Sequence, residues 1–189
     1  MVRRIIIVFG FLLLCTIASD PLAAQNIVGQ PKFSSAFTDL GKECKDAFKQ
    51  VGEGQDMPLK CKGYGQYYIY IYYSAFASHI SIKTKVGDDV IYLSPEKLDY
   101  SDKEGNKIEW RLANGKPFAV ILKVSRYDNK VQENGENPYQ DKYKVGELFI
   151  IKGLKGYEHI DFKVDATTNP NAITKARELA DNAFLKTRP

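Results

Sequence analysis

The chain has 189 residues, 44% of them hydrophobic and 26% charged, with a formal net charge of +4. That length suits one domain with a sizeable core. The charge is too small, and the lysines too scattered, for a nucleic-acid binder, so no nucleic-acid partner is expected.

Arg3 and Arg4 precede an uncharged apolar run from Ile5 to Ala18. Asp20 and Pro21 break it, and Leu22-Ala23-Ala24 offers small residues to a peptidase. This three-part order predicts a cleavable signal peptide over residues 1–24 and a mature domain over 25–189. The apolar run is shorter than the roughly 20 residues of a membrane helix. Membrane contact is therefore expected only through the signal peptide before cleavage, and the protein is expected to be secreted or periplasmic. Cleavage would remove Arg3, Arg4 and Asp20, lowering the formal charge to +3, and would also remove Cys15. Cys44 and Cys61 remain, an even pair in an oxidising compartment, and are predicted to form a disulfide. They lie too far apart for a C-x-x-C redox pair. Closing their loop would contribute about 3 kcal/mol by chain entropy.

Residues 26–32 read as a loose leader. Phe33 to Leu40 is a β-friendly first segment. From Gly41 to Gly65 the chain reads as loop, punctuated by Gly52, Gly54, Pro58 and Gly63. A short helix fits at Lys42 to Gln50. Gln66 to Ser74 is the clearest strand, filled with aromatic and β-branched residues. Period-2 geometry sets Tyr67, Ile69, Ile71 and Tyr73 on one face and Tyr68, Tyr70 and Tyr72 on the other. His79 to Val86 alternates, with Ile80, Ile82 and Val86 inward and His79, Ser81, Lys83 and Lys85 outward. Val90 to Leu93 is a short strand.

Lys107 to Leu112 alternates as well, with Ile108, Trp110 and Leu112 against Lys107, Glu109 and Arg111. Asn114-Gly115 predicts a tight hairpin into Pro117 to Arg126, where Phe118, Val120, Leu122 and Val124 share a face. Tyr127 to Asp141 is a polar, exposed loop. Lys142 to Lys152 and Tyr157 to Asp165 form a second predicted hairpin across Gly153 to Gly156, with Ile160, Phe162 and Val164 buried. Asn169-Pro170-Asn171 signals a helix start. Ala172, Ile173, Ala176, Leu179, Ala180, Ala183 and Phe184 then recur at helical spacing, with Thr174, Lys175, Arg177, Glu178, Asp181 and Asn182 opposite. A closing amphipathic helix is expected over 170–187. The fold class is α+β, mainly β, with about seven or eight mostly antiparallel strands. A sandwich and a small barrel both fit.

Signatures of chemistry are sparse. No G-x-S-x-G or H-E-x-x-H motif occurs, and no catalytic residue is nominated. His159 and Asp161 at i, i+2, with His79, offer a zinc-like set, but polar residues collect on outward strand positions anyway, so no metal and no cofactor are expected. Asp99, Asp102 and Glu104 before Gly105 miss the spacing of a calcium loop, since Ser101 and Lys103 stand at the needed positions. Glu109 and Arg111 read as the solvent face of a strand that buries Trp110; the rival reading is a polar site around an aromatic platform. Tyr68, Tyr70 and Tyr72, with Tyr64 nearby, make the candidate binding surface, because tyrosine joins a large ring to a hydroxyl. The competing reading is a central strand covered on both sides.

Several segments together resemble a family of small exported bacterial proteins without an assigned function. They are Ser35 to Leu40 followed by Cys44, Cys61 to Tyr67, Glu109-Trp110-Arg111 with Gly115 to Ala119, and Asn169 to Ala172 with Ala176 to Asp181. Many such relatives carry a second glycine where Gln66 stands, and extra cysteines in the C-terminal third that are absent here. The resemblance implies export and a common fold, and no second disulfide. A looser similarity links the cysteine and its tyrosine-rich strand to periplasmic lysozyme inhibitors, whose serine-glycine and lysine-glycine motifs do not stand out here. The sequence thus predicts an exported, non-catalytic binding or interaction protein, with a protein or a cell-wall glycan as partner classes. The alternatives are an inhibitor of a cell-wall lytic enzyme, or an enzyme with a site assembled from separate strands.

Overall fold

Nine strands among the described residues pair into two separate antiparallel sheets. The computed structural model describes residues 29–44, 58–73, 78–85, 87, 90–94, 107–128 and 140–187. The expected signal peptide, the acidic turn with Asp99, Asp102 and Glu104, and most of the helix expected at Lys42 to Gln50 lie outside these residues. The strands are β1 (Phe33–Asp39), β2 (Leu59–Lys62), β3 (Tyr67–Tyr73), β4 (Ser78–Thr84), β5 (Val90–Ser94), β6 (Lys107–Ala113), β7 (Lys116–Tyr127), β8 (Lys144–Gly153) and β9 (Asp161–Asp165). A single helical turn, α1 (Leu40–Glu43), follows β1, and α2 (Ala172–Lys186) closes the chain. One sheet has the order β1-β6-β7-β8-β9 and the other β2-β3-β4-β5. Both are open, so the fold is a sandwich rather than a barrel. Residues Pro31–Pro189 form one compact unit.

Three layers follow from which faces are apolar. Ile69, Ile71, Ile80 and Ile82 of the four-stranded sheet share a buried cluster with Ile108, Trp110, Val120 and Leu122 of the five-stranded sheet. Stacking two half-apolar sheets removes both inner faces from water. On its other side, the five-stranded sheet packs against α2. Ala119, Ile121 and Ile151 there meet Ala172, Ala176, Ala180 and Ala183. The small alanine side chains let the helix lie close to the strands.

The disulfide forms as expected. Cys44, just after α1, is bridged to Cys61 in β2, with Cα atoms 4.9 Å apart. It ties the end of β1 on one sheet to the first strand of the other. Asn114 and Gly115 take positive φ, 50° and 79°, as the two-residue turn between β6 and β7 requires. Gly153 ends β8 where a Cβ would lie 1.7 Å from the Tyr157 carbonyl oxygen.

Three expectations about the strands need correction. Leu59–Lys62, read as loop, is a strand paired with Ile71 to Tyr68 of β3. Phe118 does not share a face with Val120. Arg111 pairs with Ala119 and Leu112 with Pro117, which leaves Phe118 as a bulged residue. The bulge turns its ring to the helix side, where it packs at 4.7 Å from Phe184. The last hairpin is also shorter than expected. Residues 154–160 form two successive turns, closed by Tyr157 N–H to Leu154 O and Ile160 N–H to Tyr157 O, and β9 begins only at Asp161.

Candidate functional site

Tyr67, Ile69 and Ile71 point into the core, and Tyr67 is only 3% exposed. Tyr68, Tyr70 and Tyr72 point the other way and are half-buried. No other layer covers this outer face among the described residues, since α2 packs on the other sheet. The rings are instead flanked by lysine. Register sets Lys62 and Lys83 beside Tyr68, Lys60 and Ser81 beside Tyr70, and His79 beside Tyr72. Lys60 Nζ stands 3.9 Å from the Tyr68 ring centre, with Lys85 Nζ at 5.4 Å from the same ring. Lys83 Nζ is 5.0 Å from the Tyr70 ring. Each such contact is worth about 0.5–1 kcal/mol at an exposed site. The lysine stems also shield part of the Tyr68 and Tyr70 rings.

Tyr64 does not join this row. It packs toward the core, its ring 6.1 Å from Trp110, beside Tyr67 at 5.6 Å from the same indole. Tyr92 takes its place at the other edge. It is 70% exposed and pairs with Ser81. Ser81 lies between Tyr70 and Tyr92, fully buried, and its Oγ has no hydrogen-bond partner. No aspartate or glutamate occurs among the described residues of the four-stranded sheet, and none of Lys60, Lys62, Lys83 or Lys85 pairs with a carboxylate there.

Glu109 and Arg111 behave differently from expectation. They do lie opposite Trp110, whose indole N–H donates to Thr38 Oγ1 at 2.9 Å in the core. Yet they are 4% and 6% exposed, because α2 covers them. Arg111 Nε and Nη2 donate to the two carboxylate oxygens of Asp181 at 3.1 and 2.5 Å. Arg177 Nε and Nη2 donate to those of Glu109 at 2.7 and 3.0 Å. Ser35 Oγ donates to Glu109 and accepts from Arg111 Nη1 at 2.6 Å. Arg177 is raised above its ordinary pKa by the hydrogen bonds and charge of Glu109, against the opposing effect of burial. The result is two crossed bidentate pairs clasping helix to sheet, each carboxylate matched by a guanidinium. Glu109 and Arg111 are thereby engaged on every side-chain polar atom and shielded from water by α2. Arg177 and Asp181, expected on the solvent side of the helix, are therefore part of its docking face. The signal was in the spacing: i, i+2 on a strand spans about 6.7 Å and i, i+4 on a helix about 6 Å, with the charges in opposite order.

The zinc-like set is not brought together. His79 lies on the outer face of the four-stranded sheet. His159 lies in the turn before β9, its Nε2 3.4 Å from Ala183 O on α2. Asp161 is ion-paired with Lys152 at 2.6 Å. Among the described residues no three histidine, cysteine or acidic side chains could share a metal. Comparison of the chain with protein-family models, with curated proteins and with solved structures found no match.

Proposed function

We propose that the protein is an exported, non-catalytic binding protein whose outer tyrosine face, Tyr68, Tyr70 and Tyr72 with Tyr92, receives its partner. The observation that carries this reading is that face itself. It is rich in aromatic and lysine side chains, and no other layer lies over it among the described residues. The same tyrosines in a core would have rings facing rings, as Tyr67 and Tyr64 do against Trp110. Export is supported by the charged, apolar and small-residue order of residues 1–24 and by the closed Cys44–Cys61 pair. The likeness to small exported bacterial proteins fits the same compartment and carries no function with it.

The test replaces Tyr68, Tyr70 and Tyr72 with serine. The immobilised mature domain should retain a component of the cell envelope that the triple variant loses, with an unchanged circular-dichroism spectrum. If the triple variant unfolds, Tyr92→Ser is the second probe, because its exposed ring adds little to the fold. Retention unchanged in a folded variant overturns the reading.

A further inference from the structure

We infer that the partner of this face is an acidic polysaccharide, one bearing a carboxylate on each sugar unit. The inference rests on the proposed tyrosine face and names its ligand class.

Charge argues first. Lys60, Lys62, Lys83 and Lys85 meet no carboxylate among the described residues, and the four-stranded sheet supplies none of its own there. Ammonium groups only donate hydrogen bonds and tyrosine hydroxyls can donate as well as accept, so the face suits a partner rich in acceptors. Each exposed lysine–carboxylate pair is worth at most about 1 kcal/mol, so binding needs several at once. A chain with regularly repeated carboxylates supplies them.

Composition argues next. Protein interfaces are depleted in lysine, whereas this face carries Lys60, Lys62, Lys83 and Lys85 beside its tyrosines.

Ring geometry disfavours base stacking at Tyr68 and Tyr70. Lys60 and Lys85 stand near the Tyr68 ring, and Lys83 near Tyr70. Ammonium groups there compete with flat bases for the ring faces, whereas a nucleic-acid platform keeps them open. Hydroxyls and ring edges remain, and these suit the mixed polar and apolar surface of a pyranose.

The experiment is titration calorimetry on the mature domain with hexagalacturonate, maltohexaose and hexaglutamate, at low and at physiological salt. Hexagalacturonate should bind, and its affinity should fall with salt as screening grows. Lys60→Gln with Lys83→Gln should weaken it about tenfold, a loss of about 1.4 kcal/mol, with the circular-dichroism spectrum unchanged. Tyr92→Ser should weaken it as well. Equal or tighter binding of maltohexaose leaves the tyrosine face in place and overturns the acidic ligand. Equal or tighter binding of hexaglutamate overturns the glycan in favour of an acidic protein. Hexagalacturonate binding that ignores both the lysine and the tyrosine variants overturns the face itself, and with it the proposed function. Binding of none of the three overturns the inference alone, since the envelope retention test still stands.

Discussion

On the helix side of the five-stranded sheet, Glu109 and Arg111 each meet an opposite charge, and α2 seals them from water. On the outer side of the four-stranded sheet, Lys60 and Lys83 lean on tyrosine rings and meet no carboxylate among the described residues. Both faces alternate polar residues with a buried apolar row, and both read alike in sequence. They differ in what lies over them. A charge under a covering layer must be matched, because desolvation is costly. A charge beside water need not be, and it stays available for another molecule. The contrast separates a structural use of charge from the binding use proposed for the outer lysines.

The largest expected effect breaks the clasp. Arg111→Ala leaves the buried Glu109–Ser35 corner and Asp181 short of a partner, and should lower unfolding free energy by roughly 3 kcal/mol in urea titration. The paired change Arg111→Met with Asp181→Leu should recover much of that. A loss under about 1 kcal/mol for the single change would place these charges with ordinary surface pairs.

A smaller effect comes from acid. Glu147 is held below its ordinary value of 4.5, first by the hydrogen bond from Lys123 and then by Lys144, against partial burial. Asp165 is held below 3.8, first by hydrogen bonds from Thr167 and further by Arg126. A carboxylate whose folded pKa is depressed contributes stability above its unfolded pKa and loses it as pH falls through the folded value. The melting temperature should therefore hold from neutrality down to about pH 5 on their account, and fall below it. Both groups belong to the five-stranded sheet, and the described four-stranded sheet has no carboxylate to protonate. Glu147→Gln with Asp165→Asn should flatten that acid limb, and a limb left unchanged would assign it to other carboxylates.

The smallest effect tests the tyrosine face. Ser81 buries a hydroxyl without a partner. Ser81→Ala should leave stability unchanged or raise it by up to about 1 kcal/mol, as read by thermal melting. A loss instead would mean the hydroxyl is bonded in solution.

Period-2 reading put Tyr67 and Tyr68 on opposite faces of their strand, and helical period found the alanine face of α2. These are local properties of a single element. The bulge at Phe118 was not legible, because only pairing with Arg111 and Leu112 reveals the extra residue. β2 was missed because four residues between Pro58 and Gly63 carry too little pattern. The clasp needed partners 68 and 70 residues apart. Likewise, alternation showed that Tyr68, Tyr70 and Tyr72 share a face, and only the packing of α2 on the opposite sheet decided that the helix does not cover it.

The whole four-stranded sheet is an insertion between two neighbouring strands. Asp39 and Lys107 are register partners, so the chain leaves the five-stranded sheet and returns at one point. Thr38 and Trp110, bonded in the core, are 72 residues apart. Loop-closure entropy makes that junction slow to form, whereas β6 and β7 need only their two-residue turn. The disulfide spans just 17 residues near the start of the insertion. Because closure entropy grows only with the logarithm of length, shortening the path this much eases the junction by no more than a few tenths of a kcal/mol. The bridge thus does little to bring β1 to its neighbour, and acts instead on the departure point of the inserted sheet.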